Sequence, residues 1–339
     1  MYAAVFGSPR EIHGDEREQP MPQRGEVRVA VQAAGVCAGD IYIYNGTNPY
    51  VSYPRVGGHE IAGIVDRLGP ETEGPAPGTP VVVEPFIGCG HCYPCRVGKP
   101  NCCANLQIIG VHRDGGFADY VVAPVDRLHL VPRGLSPFTA SFAEPVAIGV
   151  QACRRGAVTA DDAVLVLGAG PIGLALVEVA RARGAMVFVT DIDPQRLATA
   201  VQLGGTALEA GGSLVEEVMR RTGGEGMPVV IEATGNPKVM ESTVDLVAAG
   251  GRIVIVGLVK KGVAISLPGL DLTRKEMTIV GSRASVGCFP ESLDLLARGM
   301  IRYPDIAEGF ALHQAPSVVT QIAASQGDIH KAVLINEPG

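Results

Sequence analysis

Four cysteines offer the most compact chemistry in this sequence. Cys89, Cys92 and Cys95 stand at C-x2-C-x2-C spacing, and Cys103 follows after seven intervening residues. Thiolates this crowded cannot all pair as comfortable disulfides, but they can converge on one tetrahedral ion. Zinc is the natural occupant, because it is redox-inert and content with four sulfurs. Cys102 adjoins Cys103, and spacing alone does not choose between them. The plain alternative is a loop of free thiols, and the repeated two-residue spacing argues against it. A shell filled by four protein ligands has no open position for a substrate, so this metal would be scaffold.

A second pattern points to a nucleotide. Val164 to Gly173 reads V-L-V-L-G-A-G-P-I-G, an apolar strand turning into a helix through Gly168, Gly170 and Gly173. Gly168 permits the tight turn, Gly170 lets the backbone approach a pyrophosphate, and Gly173 lets helix and strand pack closely. Asp191 lies 23 residues after Gly168, at the end of the next strand. There it can accept both adenosine ribose hydroxyls, and its charge would repel a 2′-phosphate, so NAD is expected over NADP.

Three further stretches carry ligand-type side chains: G-V-C-A-G-D around Cys37, G-G-H-E through His59 and Glu60, and F-A-E-P around Glu144. Each is weak alone. A lone cysteine at a strand end is more often core, and Glu144 could simply be the acidic first turn of a helix. Together, a thiolate, an imidazole and a carboxylate suit a second zinc that keeps one position open.

These residues need two kinds of scaffold. Up to about residue 140 the chain reads as short strands broken by Gly and Pro, with Glu26–Val31 alternating, then Ile61–Leu68, Val81–Val83 and Phe117–Val122. That predicts a partly closed antiparallel β domain. A helix is expected over Ala143–Arg154, and from Ala163 apolar strands alternate with helices, which predicts a parallel sheet covered on both faces. Helices are expected at Glu291–Arg298 and Pro316–Ser325, and a last strand at Ala332–Ile335 should return to the first domain. The expected boundaries are 1–140 with 282–339 for the first domain, its metal lobe at 85–106, and 141–281 for the second.

The bulk properties exclude several classes. The 339 residues are 47% hydrophobic and 19% charged, with 44 glycines and 25 prolines, as in a turn-rich globular protein. A net charge of -7 argues against nucleic acid as a partner. No signal peptide or membrane-length apolar run is visible, and the clustered cysteines suit a reducing compartment. The expectation is a cytoplasmic protein without membrane partners.

Taken together, G-V-C-A-G-D, P-R-V-G-G-H-E, the four-cysteine lobe, G-G-F-A-D-Y at Gly115–Tyr120, A-E-P-V-A at Ala143–Ala147 and G-A-G-P-I-G resemble the zinc-dependent medium-chain dehydrogenases, the alcohol and polyol dehydrogenase family. The resemblance runs over essentially the whole chain. It implies an α/β protein with a GroES-like antiparallel β catalytic domain and a Rossmann doubly wound parallel six-stranded sheet. It implies a catalytic zinc on Cys37 and His59, with Glu60 or Glu144 completing the shell, and a structural zinc on Cys89, Cys92, Cys95 and Cys103. It assigns Asp40 to orienting the histidine. Gly168, Gly170, Pro171, Ile172, Gly173, Asp191 and Arg196 are assigned to the cofactor, with Lys331 near its pyrophosphate. The implied reaction is oxidation of a secondary alcohol, zinc acting as Lewis acid and NAD taking the hydride. Relatives are usually dimers or tetramers.

One departure bears on the proton. Relatives place a Ser or Thr two residues after the cysteine and a histidine further on, whereas this chain has Gly39 and Tyr42. The usual relay lacks its first member, so the proton would leave through water at the metal with Glu60 or Glu144. A non-catalytic NAD- and zinc-binding sensor is the alternative this departure raises. Y-N-G-T-N-P-Y at Tyr44–Tyr50, G-V-H-R-D-G-G-F at Gly110–Phe117 and G-S-R at Gly281–Arg283 are similar to the bacterial sugar-acid branch, which includes L-galactonate and L-gulonate 5-dehydrogenases and a starvation-sensing protein. That implies a hexonate substrate, with Arg113 or Arg283 as candidate carboxylate partners. A general alcohol, sorbitol or threonine dehydrogenase is the neighbouring reading.

Overall fold

Valines at alternate positions build the centre of the first unit. In the strand Glu26–Gly35, Val27, Val29 and Val31 are buried on one face. The strand pairs antiparallel with Glu60–Leu68, Tyr120–Pro124 and Ala332–Ile335, so three partners share its edges within a seven-stranded sheet. Pro80–Val83 and Leu128–Leu130 extend the sheet beyond Glu60–Leu68. Glu308–Ala311 runs parallel beside Ala332–Ile335. The core beneath holds Phe6, Ile61, Phe117, Val318 and Val319, each large side chain contributing about 1.5–3 kcal/mol by leaving water. This computed structural model describes residues 1–324 and 329–336.

The register decides where chemistry can sit. Gly35 stands opposite Glu60 on one side and opposite Val333 on the other. Three separate parts of the chain therefore meet at one corner: the residues before Cys37, the G-G-H-E turn, and the segment entering Ala332–Ile335. The expected strand at Phe117–Val122 begins later, at Tyr120. Phe117 instead closes the G-G turn, donating its N–H to Gly57 O at 3.0 Å.

The second unit is a six-stranded, wholly parallel sheet. Its order is Thr206–Ala207, Met186–Thr190, Ala163–Leu167, Met227–Glu232, Val247–Ile255, Thr278–Gly281. Numbered along the chain this is 3-2-1-4-5-6, the doubly wound arrangement in which strand order reverses beside the first strand. Apolar runs such as A-V-L-V-L form these strands because helices cover both faces. The two-residue strand Thr206–Ala207 is too short to announce itself by periodicity. Among the described residues, no helix is long and apolar enough to cross a membrane.

The units divide differently from the expected boundaries. The first comprises Met1–Glu144, Phe289–Arg298 and the described residues from Pro304 on; the second comprises Pro145–Cys288 and Gly299–Tyr303. Residues 141–144 stay with the first unit because Ser292 Oγ donates to Ala143 O at 2.7 Å. Residues 282–288 stay with the second: Ser282 N–H donates to Ile255 O at 2.8 Å, and Cys288 packs on Gln151. The helix expected over Pro316–Ser325 spans Ala315–Ala323, and Ser325 lies outside the described residues.

Glu178, wholly buried in the helix Pro171–Ala182, explains why Gly299–Tyr303 belongs to the second unit. Its carboxylate accepts the backbone N–H groups of Arg302 at 2.7 Å and Tyr303 at 2.9 Å. Burial raises its pKa to about 7 against the opposing pull of those two donors. The folded value lies above the unfolded one, so the folded state binds the extra proton between about pH 4.5 and 7, and stability falls as the pH rises through that window. We expect the folding stability of the wild-type protein to lose ground to Glu178→Gln between pH 5 and pH 8, by on the order of 1–3 kcal/mol. Parallel thermal melts across that range check this; a difference that stays flat or reverses counts against it.

Candidate functional site

Asp40 organises the first cluster. It sits one turn into the helix Ala38–Tyr44, fully buried, and accepts from Cys37 N–H at 2.9 Å and Gly58 N–H at 3.0 Å. One carboxylate thus ties the loop carrying Cys37 to the loop carrying His59. Gly58 has φ +86°, and a Cβ there would lie 2.4 Å from the Phe117 ring, so the turn before His59 demands glycine. The ring itself is not gripped by Asp40. His59 Nδ1 and Asp40 Oδ1 are 3.8 Å apart, beyond hydrogen-bond reach. Asp40 ties the two backbones by hydrogen bonds and faces the histidine ring as a charge at 3.8 Å.

Cys37, His59 and Glu60 offer ligand atoms all within 4.8 Å of one another and could hold a metal ion. Glu144, buried at the start of the helix Ala143–Arg155, feels the same charges. Burial is the main cause lifting its carboxyl to about 7; Glu60 and Asp40 add to the lift, while His59 and Lys331 oppose it. His59 is held well above its usual value despite burial, chiefly by Cys37 and then Asp40. Three carboxyl groups and an imidazole are buried here beside the half-buried Cys37 thiol, and Glu60 Oε2 has no hydrogen-bond donor. Such a donor set fits a divalent cation.

Two contacts at this cluster were not foreseen from the sequence. Lys331, expected near the cofactor pyrophosphate, touches the ligand set. It is buried in the first unit, donating to Glu60 Oε1 at 2.6 Å and to Val36 O at 3.0 Å. Gly35 went unnoticed: a Cβ there would lie 1.9 Å from Glu60 Oε2. Its only sequence signal was a glycine at the end of an otherwise β-rich strand. Gly39 faces the ligands, since a Cβ would stand 3.3 Å from His59 Cε1 and 4.0 Å from Cys37 Sγ. Tyr42, on the same helix, is largely exposed. Arg113 is paired with Glu26 at 2.5 Å, so its charge is already spent. Arg283 is exposed just past Thr278–Gly281 in the second unit.

The cysteine lobe is a separate cluster. Cys89, Cys92, Cys95 and Cys103 bring their sulfurs within 4.8 Å of one another. Cys92 Sγ lies 3.5 Å from Cys95 Sγ and 3.7 Å from Cys103 Sγ. Zinc–sulfur bonds of about 2.3 Å place tetrahedral sulfurs about 3.8 Å apart, so the spacing suits zinc. Backbone N–H groups of Cys89 and Asn105 point at Cys103 Sγ, at 3.2 and 3.3 Å. Backbone donation, from Cys95 first and then Ala104, lowers Cys92 to about 6, towards the thiolate a metal needs. Cys102 is exposed and outside the cluster, so the geometry selects Cys103.

In the second unit the three fingerprint glycines occupy three different steric situations. Gly168 has φ +102°, and a Cβ would meet Thr234 Cγ2 at 2.8 Å. Gly170 has open space around its missing side chain, and Gly173 would clash with Gly168 O at 1.9 Å. Pro171 and Ile172 open the helix Pro171–Ala182, with Gly170 as N-cap. Asp191 accepts from Ala169 N–H at 2.6 Å and Asp193 N–H at 2.8 Å, which aims its carboxylate at the glycine turn. Arg196 is exposed and lies 3.7 Å from Asp193.

Sequence comparison agrees with this geometry. The family models described as alcohol dehydrogenase GroES-like domain and zinc-binding dehydrogenase match residues 23–133 and 171–298. Starvation-sensing protein RspB of Escherichia coli (strain K12) is 37% identical over 305 residues, 89% of this chain and 89% of its own. The chain belongs to the zinc-type alcohol dehydrogenases. L-galactonate-5-dehydrogenase of the same strain is 37% identical over 320 residues, covering 93% of this chain and 92% of its own. The solved structure of RspB from E. coli CFT073, complexed with NADH, matches with a TM-score of 0.92 at 34% identity and 99% coverage of each chain. As a zinc-type alcohol dehydrogenase, this protein is an oxidoreductase of alcohols, with the GroES-like and Rossmann parts expected from its motifs.

The lobe of this dehydrogenase gives a direct test. Cys92→Ser should cost one zinc per chain and lower the melting temperature by about 5 °C or more. Metal analysis beside thermal melts reads both. A variant equally stable with its zinc gone would sink the scaffold role.

Proposed function

We propose that this protein oxidises a secondary alcohol of a sugar acid, L-galactonate or L-gulonate in type, to the ketone with NAD as acceptor. The observation that carries the reading is the partly buried Cys37, His59 and Glu60 cluster, in a chain 37% identical to L-galactonate-5-dehydrogenase over 93% of its length. A metal held by these three residues would supply Lewis-acid stabilisation of charge on the substrate oxygen, and a bound NAD would supply the hydride acceptor. The metal on Cys89, Cys92, Cys95 and Cys103 is scaffold, which makes two zinc ions per chain.

The chain's own residues then have distinct tasks. Asp40 holds the Cys37 and His59 loops at a fixed separation, and Glu60 is favoured over Glu144 as third ligand because its carboxylate lies within the compact set. Gly170 lets the pyrophosphate approach the helix N-terminus, and Asp191 takes the ribose hydroxyls while disfavouring a 2′-phosphate. Gly39 leaves room beside His59 and Cys37 where a serine hydroxyl would otherwise sit. The substrate proton is passed to water in that room, with Glu60 or Glu144 as the neighbouring carboxylate. Four cysteines gathered at metal-binding spacing suit a reducing, cytoplasmic setting.

A substrate panel tests the reading. With NAD, and NADH absorbance as readout, kcat/KM on L-galactonate or L-gulonate should exceed that on sorbitol and L-threonine by about tenfold or more, at least 1.4 kcal/mol of discrimination. If sorbitol or threonine leads, the sugar-acid assignment fails while the dehydrogenase stands; no turnover with any alcohol would favour the sensor.

We also infer a homo-oligomer. Thr278–Gly281 is an edge strand with exposed Ile279, and Leu270 and Leu272 nearby in sequence are exposed too. An uncovered apolar edge of this kind is normally paired or protected. Light scattering should give a mass at least twice 35.2 kDa; a monomer at micromolar concentration overturns it.

A further inference from the structure

The metal-site reading leaves one buried group without a task. Lys331 is 3% exposed and Glu60 is 1% exposed. Its ammonium donates to Glu60 Oε1 at 2.6 Å and lies 2.5 Å from Oε2, yet Oε2 makes no hydrogen bond. The same ammonium donates to Val36 O, the carbonyl just before Cys37. Three adjacent strands impose this arrangement. Lys331 enters Ala332–Ile335, which pairs with the strand ending at Gly35, which in turn pairs with the strand beginning at Glu60. Gly35 seats Oε2, since any side chain there would collide with it. The carboxylate is thus pinned between a lysine and a glycine, with the ammonium within 2.6 Å of both its oxygens.

We propose that Lys331 is a positioning residue that competes with the metal ion for Glu60 and thereby loosens the metal's hold on that carboxylate. The proposal rests on the metal-site reading above. The physical argument concerns two cations sharing one carboxylate out of water. A buried ammonium drains charge from Glu60 and repels a neighbouring divalent ion, and both effects are strong where the dielectric is low. A lysine placed only to brace the fold would do the opposite, because losing it would disorder Glu60 and Val36 and weaken metal binding. Competition and bracing therefore predict opposite signs. The benefit of competition is an exchangeable third ligand, one that can leave the metal when a substrate oxygen arrives.

The experiment titrates the zinc-loaded full chain with a chelator and follows release from each site, the four-cysteine lobe serving as internal control. Lys331→Met should bind zinc at the Cys37 site about tenfold tighter than the wild-type protein, with release from the lobe unchanged. Lys331→Arg, which keeps the charge, should restore wild-type affinity. Cobalt substitution supplies a second readout: the d–d absorption of the Lys331→Met protein should shift as Glu60 binds more firmly, and that of Lys331→Arg should not. Because Lys331→Met strands a buried carboxylate, the pair Glu60→Gln and Glu60→Gln/Lys331→Met is measured as well. Their zinc affinities should agree if Lys331 acts only through Glu60. Unchanged or weaker zinc binding in Lys331→Met, or a difference between the two Glu60→Gln proteins, overturns the proposal. Wild-type protein carrying only the lobe zinc would instead sink the metal-site reading itself.

Discussion

Much of the first unit's chemistry depends on one buried carboxylate that touches no substrate. Asp40 accepts two backbone N–H groups, one from Cys37 and one from Gly58. A buried N–H left unpaired costs roughly 1–3 kcal/mol, so both loops are obliged to stay where Asp40 is. The helix Ala38–Tyr44 carries that residue, and Gly58 can present its N–H only because its φ of +86° turns the chain back against Phe117. The positions of a thiol and an imidazole 22 residues apart in sequence are thereby set by backbone hydrogen bonding, and the side chains are left for a ligand.

The second unit solves its positioning problem by sterics. Strand order reverses between Ala163–Leu167 and Met227–Glu232, and the loops leaving these strands meet where a Cβ on Gly168 would strike Thr234. Glu232 fastens the second loop by accepting N–H groups from Thr234 and Gly235 at 2.7 and 3.0 Å. Gly173 holds the helix against the strand, and Gly170 alone is open. A crevice at the carboxyl ends of parallel strands, with a helix N-terminus exposed in it, is what a dinucleotide pyrophosphate requires.

How far these features could be read from the sequence follows from the distance over which each is determined. The glycine turn and the cysteine lobe are local: their partners lie within about 25 residues, and steric or ligand spacing is visible in the order of residue types. The doubly wound sheet was legible because its apolar strands recur between helices, except Thr206–Ala207, which is too short to show a period. Cys37, His59, Glu60 and Glu144 were found only because a family pattern joined them; as isolated residues each looked like core or a helix start. The pairing of Lys331 with Glu60 was not legible because the two are 271 residues apart and meet only through strand register. Asp40 was recognised, but which of its neighbours it holds is a matter of 3.0 Å against 3.8 Å, and no spacing rule resolves that.

The two metal-type clusters differ in their donors, and the difference bears on the chemistry proposed for one of them. In the lobe, four thiols of one donor type surround a point, and a shell they fill has no open position for a substrate. The Cys37 cluster is heterogeneous. Its thiol and imidazole sit on loops locked by Asp40, whereas its carboxylate is shared with an ammonium, and nearby Glu144 has its pKa raised chiefly by burial and further by Glu60. Rigid ligands beside one contested ligand define a site whose shell can change without the fold moving. That asymmetry, more than the identity of the donors, separates a site that can admit a substrate oxygen from one that only holds a lobe together.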